Sequence, residues 1–203
     1  MTLESFRASR AESKRTAVLD AAEASFCKDG FVRTNIEKVS KEAGVSTATL
    51  YRYFSNKAQL FGAVSDRAFE RLQLNIDATD PKSWELEQLC EAYGRFLTDP
   101  KTRSLFRMIV AECGRDEDLA DRFYKAFKQK LSGLFVETAE RGVENGTLRK
   151  MEDPERSVGQ LQGMIEHGTI MRGLVRGDEI GSVEEAMETA DAALTTWLAR
   201  WSV

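Results

Sequence analysis

The chain has 203 residues, of which 42% are hydrophobic and 31% are charged, and it carries a formal net charge of −4 at pH 7. This composition, with only three prolines, excludes disordered and collagen-like chains and is typical of a packed helical protein of one or two domains. The acidic balance disfavours a general nucleic-acid binder, and because no apolar run approaches the ~18 residues of a membrane span we expect a cytoplasmic protein with no membrane partner.

The first predicted element is a helix over residues 12–29, in which apolar and small side chains recur every three or four positions before Gly30 ends the pattern. A short second helix follows. Thr34 and Glu37 have the spacing of a capping box at its start, and Gly44 suits its end. The sequence therefore predicts a long helix and a short one in quick succession.

The stretch GVSTATLYRYFSNK, residues 44–57, is rich in residue types that favour strands, but its capping residues predict a helix. Ser46 is a good N-cap, so a third helix can begin at Thr47 directly after a tight turn. Ser55 or Asn56 can cap a fourth, longer helix. Three helices separated by short turns are therefore expected before that fourth helix begins.

Each of the three prolines follows an aspartate, which favours a helix start because the carboxylate caps free amides and proline has no amide hydrogen. The three pairs are Asp80-Pro81, Asp99-Pro100 and Asp153-Pro154. Another helix is expected from about residue 116 to Gly142 and Gly146, and a last helix after Ser182, which forms a second capping box with Glu185. With roughly nine helices and no convincing strand, the predicted fold class is all-α.

Two short helices joined by a glycine-containing turn and packed on a longer first helix make a helix-turn-helix, whose second short helix enters the major groove of DNA. At about 100° per residue, Leu50 and Phe54 point to the buried side of this helix, while Ala48, Thr49 and Arg52 point away. Hydroxyls and a guanidinium on the outer side suit contacts with base edges and phosphates. The alternative is that these are ordinary surface residues of a small helical hairpin.

The charges of the neighbouring sequence favour DNA binding. Residues 1–57 carry ten basic and seven acidic side chains, a net +3, whereas the remainder carries 19 and 26, a net −7. A basic end on an acidic body is expected where one end of a protein meets a polyanion. Lys57 lies at the start of the fourth helix, where free amides also attract phosphate, and a basic arm precedes the unit with Arg7, Arg10, Lys14 and Arg15.

The segment AVLDAAEASFCKDGFVRTNIEKVSKEAGVSTATLYRYFSNKAQLFGAV, and above all its part AGVSTATLYRYFSNKAQLF, resembles the N-terminal domain of the TetR family of bacterial transcriptional regulators. The resemblance implies an all-helical homodimer, with a helix-turn-helix DNA-binding domain over residues 1–56 and a helical ligand-binding and dimerisation domain over residues 57–203. It also implies base and backbone contacts with DNA from Ser46, Thr47, Ala48, Thr49, Tyr51, Arg52 and Tyr53, and phosphate contacts from Thr34, Asn35 and Lys57.

The last two predicted helices are candidates for a subunit interface. Their apolar side chains recur at intervals of three and four, and two helices from each subunit can form the four-helix interface that two-fold symmetry on a palindrome requires. The candidate residues are Val158, Leu161, Ile165, Leu194, Trp197 and Trp201. The alternative is that these side chains form the core of a single chain.

The middle helices carry more aromatic residues and methionines than a small bundle needs for its core, which predicts an apolar cavity for a small apolar ligand. Taken singly, each of these residues is also consistent with an ordinary core position. His167, the single histidine, is a candidate for orienting the ligand, and the alternative is that it is a hydrogen-bonded residue of the interior or of an interface. The candidate lining residues are Tyr93, Phe96, Met108, Phe123, Phe127, Met164, His167 and Met171.

Together these features predict a repressor that is released from a palindromic DNA operator by its ligand. An activator and a ligand-independent regulator remain alternatives. A helical enzyme or small-molecule carrier is disfavoured, because the sequence contains no nucleophile elbow, phosphate loop or metal constellation. We therefore expect no catalytic residue, metal site or cofactor, and Cys27, Cys90 and Cys113 are expected to be reduced thiols.

Overall fold

The structure, a computed structural model, describes residues 3–74, 85–113, 121, 124–125, 131–176 and 182–203. Within these ranges the chain forms nine helices and no β-strand, with an isolated antiparallel bridge between Leu148 and Ser202. The predicted all-α fold class is confirmed. The helices are α1 (Leu3–Arg33), α2 (Ile36–Glu42), α3 (Thr47–Tyr53), α4 (Lys57–Leu74), α5 (Leu86–Thr98), α6 (Pro100–Cys113), α7 (Gly133–Glu144), α8 (Pro154–Arg176) and α9 (Val183–Trp201).

The described residues divide into two compact units. The first lies within residues 1–67 and 104–123, and the second within residues 68–103 and 124–203. The predicted boundary between residues 56 and 57 divides the chain by function rather than by compactness, and it stays a prediction. Asp80-Pro81 and the predicted start near residue 116 lie outside the described residues, but α5, which was expected to follow Pro81, begins only at Leu86.

The first helix begins earlier than predicted and is kinked where it was expected to end. It starts at Leu3, and Gly30 has a φ of 79° and a ψ of 167°, outside the helical region, before helical backbone resumes as far as Arg33. Glycine adopts a positive φ readily because it has no Cβ. The predicted stop at Gly30 is therefore a kink that redirects the chain.

The N-cap of α2 is Asn35 and not Thr34, so the predicted capping box at this point is wrong. The Asn35 Oδ1 accepts hydrogen bonds from the amides of Glu37 at 2.8 Å and Lys38 at 3.2 Å. Thr34 lies in the turn that follows the kink, where its hydroxyl donates to the carbonyl of Gly30 at 2.7 Å. The sequence pattern was ambiguous because both residue types are good caps and they are adjacent.

The remaining caps of the first unit lie where the sequence placed them. Gly44, just after the end of α2, has a φ of 66°. The Ser46 Oγ caps α3 by accepting a hydrogen bond from the amide of Thr49 at 3.1 Å. Asn56 caps α4 by accepting the amide of Gln59 at 2.8 Å. These bonds explain why a segment rich in strand-forming residues is helical.

An aromatic cluster forms part of the core of the first unit. The Phe26 ring centroid lies 5.4 Å from that of Phe61 and 5.8 Å from that of Phe31, and the last two are 5.5 Å apart. Helix α3 packs against α1 and α2, and its buried side includes Leu50, which is 0% exposed, followed by Phe54 just after the helix, which is 5% exposed. The buried side of α3 is thus fixed by contacts with two other helices.

The second unit is held together by close packing of α5, α8 and α9. A Cβ on Gly94 would lie 3.0 Å from the carbonyl oxygen of Ala186, and one on Gly168 would lie 2.5 Å from the Thr189 Cγ2. Because both glycines lack a Cβ, α9 can approach both α5 and α8 closely. A side chain at either position would require Ala186 or Thr189 to shift.

The predicted helix starts of the second unit are confirmed where the structure describes them. The side chain of Asp99 accepts a hydrogen bond from the amide of Thr102 at 2.8 Å. In the same way Asp153 accepts one from the amide of Arg156 at 2.9 Å, and Ser182 accepts one from the amide of Glu185 at 3.2 Å. Each bond satisfies an amide that has no partner within its helix. These capping residues therefore define where α6, α8 and α9 begin.

Candidate nucleic-acid interface

Helix α3 has an inner and an outer side. Leu50 and Phe54 are buried, whereas Ala48, Tyr51 and Arg52 are exposed, with 48% of the Tyr51 surface accessible. The exposed side therefore presents a methyl group, a phenol and a guanidinium. These are groups that contact thymine methyls, guanine edges and phosphates in a major groove.

The start of α3 is shaped by two hydroxyl side chains. Ser46 and Thr49 share a hydrogen bond between their hydroxyls at 2.9 Å, in addition to the capping bond from Ser46. Ser46 is exposed, and Thr47 and Thr49 are half-buried. Helix N-termini with exposed hydroxyls and amides favour phosphate groups. This end of α3 can therefore accept a DNA backbone.

Tyr53 is tied to the first helix instead of projecting freely. Its hydroxyl donates to the carbonyl oxygen of Ala11 at 3.2 Å. The guanidinium of Arg52 lies 5.5 Å from the Tyr53 ring centroid, and that of Arg15 lies 5.7 Å from the Phe54 ring centroid. The first turns of α1 thus lie beside the last turn of α3, a contact that the sequence did not indicate.

The three predicted phosphate contacts lie around the start of α2 and α4. Thr34 is only 4% exposed and its hydroxyl donates to the carbonyl of Gly30, so its contact with a phosphate stays a prediction. Asn35 is exposed, but its side-chain oxygen caps α2. The Lys57 Nζ donates to the carbonyls of Val32 at 2.9 Å and Thr34 at 3.2 Å. Lys57 therefore stabilises the turn between α1 and α2 and also adds positive charge there.

Comparisons with known proteins agree with this geometry. Residues 18–64 match the family model described as bacterial regulatory proteins, tetR family, and residues 84–203 match that of the AefR-like transcriptional repressor C-terminal domain. The second match alone covers more than half of the chain. The chain belongs to the TetR family. The resemblance to the TetR family that the sequence indicated is therefore confirmed, with one match in the N-terminal part and one in the C-terminal part of the chain.

Individual TetR-family relatives align over most of the chain. The HTH-type transcriptional regulator TtgR of Pseudomonas putida is 26% identical over 191 residues, covering 88% of this chain and 90% of that protein. A TetR-family regulator from Mesorhizobium loti has a TM-score of 0.76 at 25% identity, covering 96% and 99% of the two chains. The Flavonoid-responsive Regulator FrrA has a TM-score of 0.72 at 25% identity, covering 93% and 97%.

The family decides the general function. TetR-family proteins are DNA-binding transcriptional regulators and not enzymes, so this chain is a DNA-binding transcriptional regulator. Regulators of this family bind operator DNA. No helix among the described residues is both long and apolar enough to cross a membrane.

Most of the predicted interface residues of this TetR-family chain are buried inside a single protomer, which corrects their assignment. Their exposed fractions are between 0% and 6%, so these side chains have almost no surface left for a partner. Trp201 is half-buried and is the exception among the six. The five buried residues are Val158, Leu161, Ile165, Leu194 and Trp197, of which Trp197 also borders a groove on the surface. The same helical period describes both core and interface, which is why the sequence could not separate them.

The outer side of α8 and α9 instead forms a groove of about 650 Å³. Two residues predicted to line a ligand cavity, Met164 and His167, lie in this groove, and Met171 on α8 is 46% exposed. The structure thus places these three on the surface of the protomer and not in an internal cavity. The groove is lined by Gln160, Gly163, Met164, His167, Thr196, Trp197, Arg200 and Trp201.

The other predicted cavity residues are distributed differently. Tyr93 and Phe96 are buried in the second unit, with 0% and 2% exposure, and Met108 is buried in the first unit. Phe123 and Phe127 lie outside the described residues. Tyr93 and Phe96 are therefore the two candidates that the structure leaves in the interior of the second unit.

Tyr93 takes part in a buried polar contact that the sequence did not indicate. Its hydroxyl donates to the Glu166 Oε1, across 73 positions of sequence. Burial raises the pKa of the Glu166 carboxyl, although the bond from Tyr93 acts in the opposite direction. Burial, and then the charge and hydrogen bond of Glu166, raise the pKa of Tyr93. A half-buried acidic group is thus hydrogen-bonded to a fully buried tyrosine in the second unit.

Proposed function

We propose that this regulator is a repressor that leaves a palindromic operator when a small, largely apolar molecule binds to its second unit. The observation that carries the DNA part is the outward side of α3, where a methyl group, a phenol and a guanidinium stand on a helix whose opposite side is buried. The similarity to FrrA, a flavonoid-responsive regulator, supports a small-molecule signal. Because its target is chromosomal DNA, we place the protein in the cytoplasm.

The proposed contacts with the operator follow from exposure. Ala48, Tyr51 and Arg52 are the exposed groups that would enter the major groove, with Thr47 and Thr49 beside them. Ser46 would meet the backbone at the start of α3. The proposed DNA-binding domain is residues 1–56, and the proposed ligand-binding and dimerisation domain is residues 57–203.

We propose that a second copy of the chain occupies the groove on α8 and α9. A palindromic operator needs two identical recognition helices, and a two-fold axis through one surface supplies them. Met164 in the groove is 36% exposed, and further along α8 Met171 and Val175 are 46% and 80% exposed. Gly163 in the groove has no heavy atom within 4 Å of its Cβ position, which leaves room for close approach of a second helix.

Sedimentation velocity at micromolar concentration tests this dimer. The parent chain is expected to sediment as a dimer and Met164→Glu as a monomer, because the new carboxylate would be buried without a partner. Tyr124→Glu is the matched control, since Tyr124 is 65% exposed and lies outside the lining of the groove. A monomeric parent chain contradicts the proposal.

Electrophoretic mobility shift against the DNA upstream of the chain's own gene tests the operator. The parent is expected to bind one palindromic segment, and hydrophobic compounds are expected to release it. Release identifies a ligand-responsive repressor. Binding that no compound alters favours the ligand-independent alternative, and a reporter gene activated by the protein favours the activator. Failure to prefer any sequence over random DNA contradicts a sequence-specific regulator.

A further inference from the structure

Helix α8 carries two polar side chains on its inner side, one turn apart. Gln162 is only 4% exposed, and Glu166 is partly buried four positions further along. Side chains four residues apart lie next to each other on a helix. The neighbouring inward residues Leu161 and Ile165 are both 0% exposed. The two polar groups therefore lie together in an otherwise apolar part of the second unit.

The hydrogen bonds of these two residues are incomplete. Ser132 donates to the Gln162 Oε1 at 3.1 Å, but the Gln162 Nε2 is buried and has no hydrogen-bond partner. Tyr93 donates to one oxygen of Glu166. A carboxylate has about four lone-pair sites, so one donor does not exhaust its capacity. An amide donor thus lacks an acceptor beside a carboxylate that can accept a further bond.

The ring of Tyr93, whose hydroxyl meets Glu166, contacts two other aromatic rings. The Tyr93 ring packs edge-on against Phe135, with centroids 5.7 Å apart, and is stacked with Phe96 at 6.4 Å. Phe135 is 0% exposed. Flat aromatic surfaces with a few convergent polar groups are typical of small-molecule sites. Buried polar groups without partners are rare in folded proteins, so the free amide donor of Gln162 calls for a functional or structural reason.

We propose that Gln162 and Glu166 recognise the effector by a paired hydrogen bond, so that the effector is an uncharged aromatic compound with an acceptor directly beside a donor. The Gln162 amide donates to the acceptor, and the Glu166 carboxylate accepts from the donor. Tyr93 holds the carboxylate in place. This inference rests on the proposed ligand-responsive function and names the chemical class of its ligand.

Three small probes separate the possible chemistries. The first, 2-quinolinone, has a ring N–H next to a carbonyl and is uncharged. In N-methyl-2-quinolinone the donor is replaced by a methyl group. N-methylquinolinium has a fixed positive charge and neither group. Binding to the full-length parent protein is measured by isothermal titration calorimetry, and operator binding is measured in parallel by mobility shift.

Two variants report on the two hydrogen bonds. Glu166→Gln is expected to weaken binding of 2-quinolinone at least tenfold, because its amide oxygen keeps the bond from Tyr93 and its NH₂ then faces the ligand donor. Gln162→Leu removes the donor to the carbonyl and is expected to weaken binding by a similar factor. Glu137→Gln on the exposed surface of α7 is the matched control and is expected to leave binding unchanged. Thermal unfolding identifies any variant that has lost its fold.

The outcomes distinguish this inference from the function on which it rests. Tenfold preference for 2-quinolinone over its N-methyl derivative, lost in Glu166→Gln, supports the paired bond. Equal binding of these two probes, tighter binding of N-methylquinolinium, or no binding of 2-quinolinone overturns it. If other hydrophobic compounds still release the operator, only the assigned chemistry fails. If no compound does, the ligand-responsive function itself fails.

Discussion

The hydroxyl of Tyr53, in the last turn of α3, donates a hydrogen bond to the carbonyl oxygen of Ala11, 3.2 Å away and 42 positions earlier in the chain. This bond joins the proposed recognition helix to the exposed first turns of α1. Residues 8–14 are all exposed, so few other contacts hold this part of the helix. The position of the basic side chains Arg10 and Lys14 relative to α3 therefore depends on Tyr53.

Tyr53→Phe should loosen the first turns of α1 while leaving the rest of the first unit folded. A net hydrogen bond contributes about 0.5–1.5 kcal/mol, and this one is exposed, so we expect the lower part of that range. Hydrogen exchange of the amides of residues 8–15 should accelerate, whereas exchange in α2 should not. Unchanged exchange in α1 would show that the bond does not hold the helix.

Arg52→Ala and Phe54→Ala should separate DNA binding from stability. Arg52 is exposed, so its removal should weaken operator binding by about 1–3 kcal/mol without altering the unfolding midpoint. Phe54 is 5% exposed, so its truncation should lower the free energy of unfolding by about 3–5 kcal/mol. Fluorescence anisotropy and urea denaturation measure the two quantities. Parental operator affinity in Arg52→Ala would refute its assignment.

Lys57→Ala should reduce the dependence of operator binding on salt. If the ammonium group replaces one counterion on the DNA, the slope of log K against log salt should fall by about one unit, equally for all sequences. The substitution also removes the bonds to the carbonyls of Val32 and Thr34, so a small loss of stability is expected. Titrations at several salt concentrations measure the slope. An unchanged slope would assign Lys57 a structural role alone.

Arg67→Ala should destabilise the first unit strongly, because Arg67 pairs with the buried Glu23 at 2.6 Å as well as with Asp20 at 2.7 Å. Removing one partner of a buried ion pair costs about 3–5 kcal/mol. The control is Asp20→Asn, whose side chain is 63% exposed and whose loss should cost less than about 1 kcal/mol. Similar losses of stability in the two variants would show that the ion pair with the exposed Asp20, and not the pair with the buried Glu23, contributes most of the stabilisation.

Glu166 should make stability depend on pH in a definite direction. Burial raises the pKa of its carboxyl in the folded state, so the folded protein binds this proton more tightly than the unfolded chain does. Its contribution is therefore present below the unfolded pKa and is lost as the pH rises through the folded pKa. Urea unfolding from pH 4.5 upward should show this decline in the parent relative to Glu166→Gln. A difference that grows in the opposite direction would contradict the burial argument.

The sequence predicted the first unit in more detail than the second. Local rules located the cap at Ser46 and limited that of α4 to Ser55 or Asn56, and helical angle alone divided Leu50 from Arg52. The same rules failed between Thr34 and Asn35, where two adjacent residues can both cap a helix. On α8, side chains such as Val158 and Ile165 recur with a period that fits either a core or an interface. The pattern does not reveal whether they pack against the same protomer or against a second copy.

The sequence by itself determined the helical class, the starts of α3, α6, α8 and α9, and the two sides of α3, because caps and periodicity act over a few residues. The tertiary structure decided which helices meet. It buried Val158, Leu161 and Ile165, placed Met164 and His167 on the protomer surface, and joined Tyr93 to Glu166 and Tyr53 to Ala11. These contacts join positions distant in sequence, so their geometry depends on how whole helices pack and not on the residues beside them.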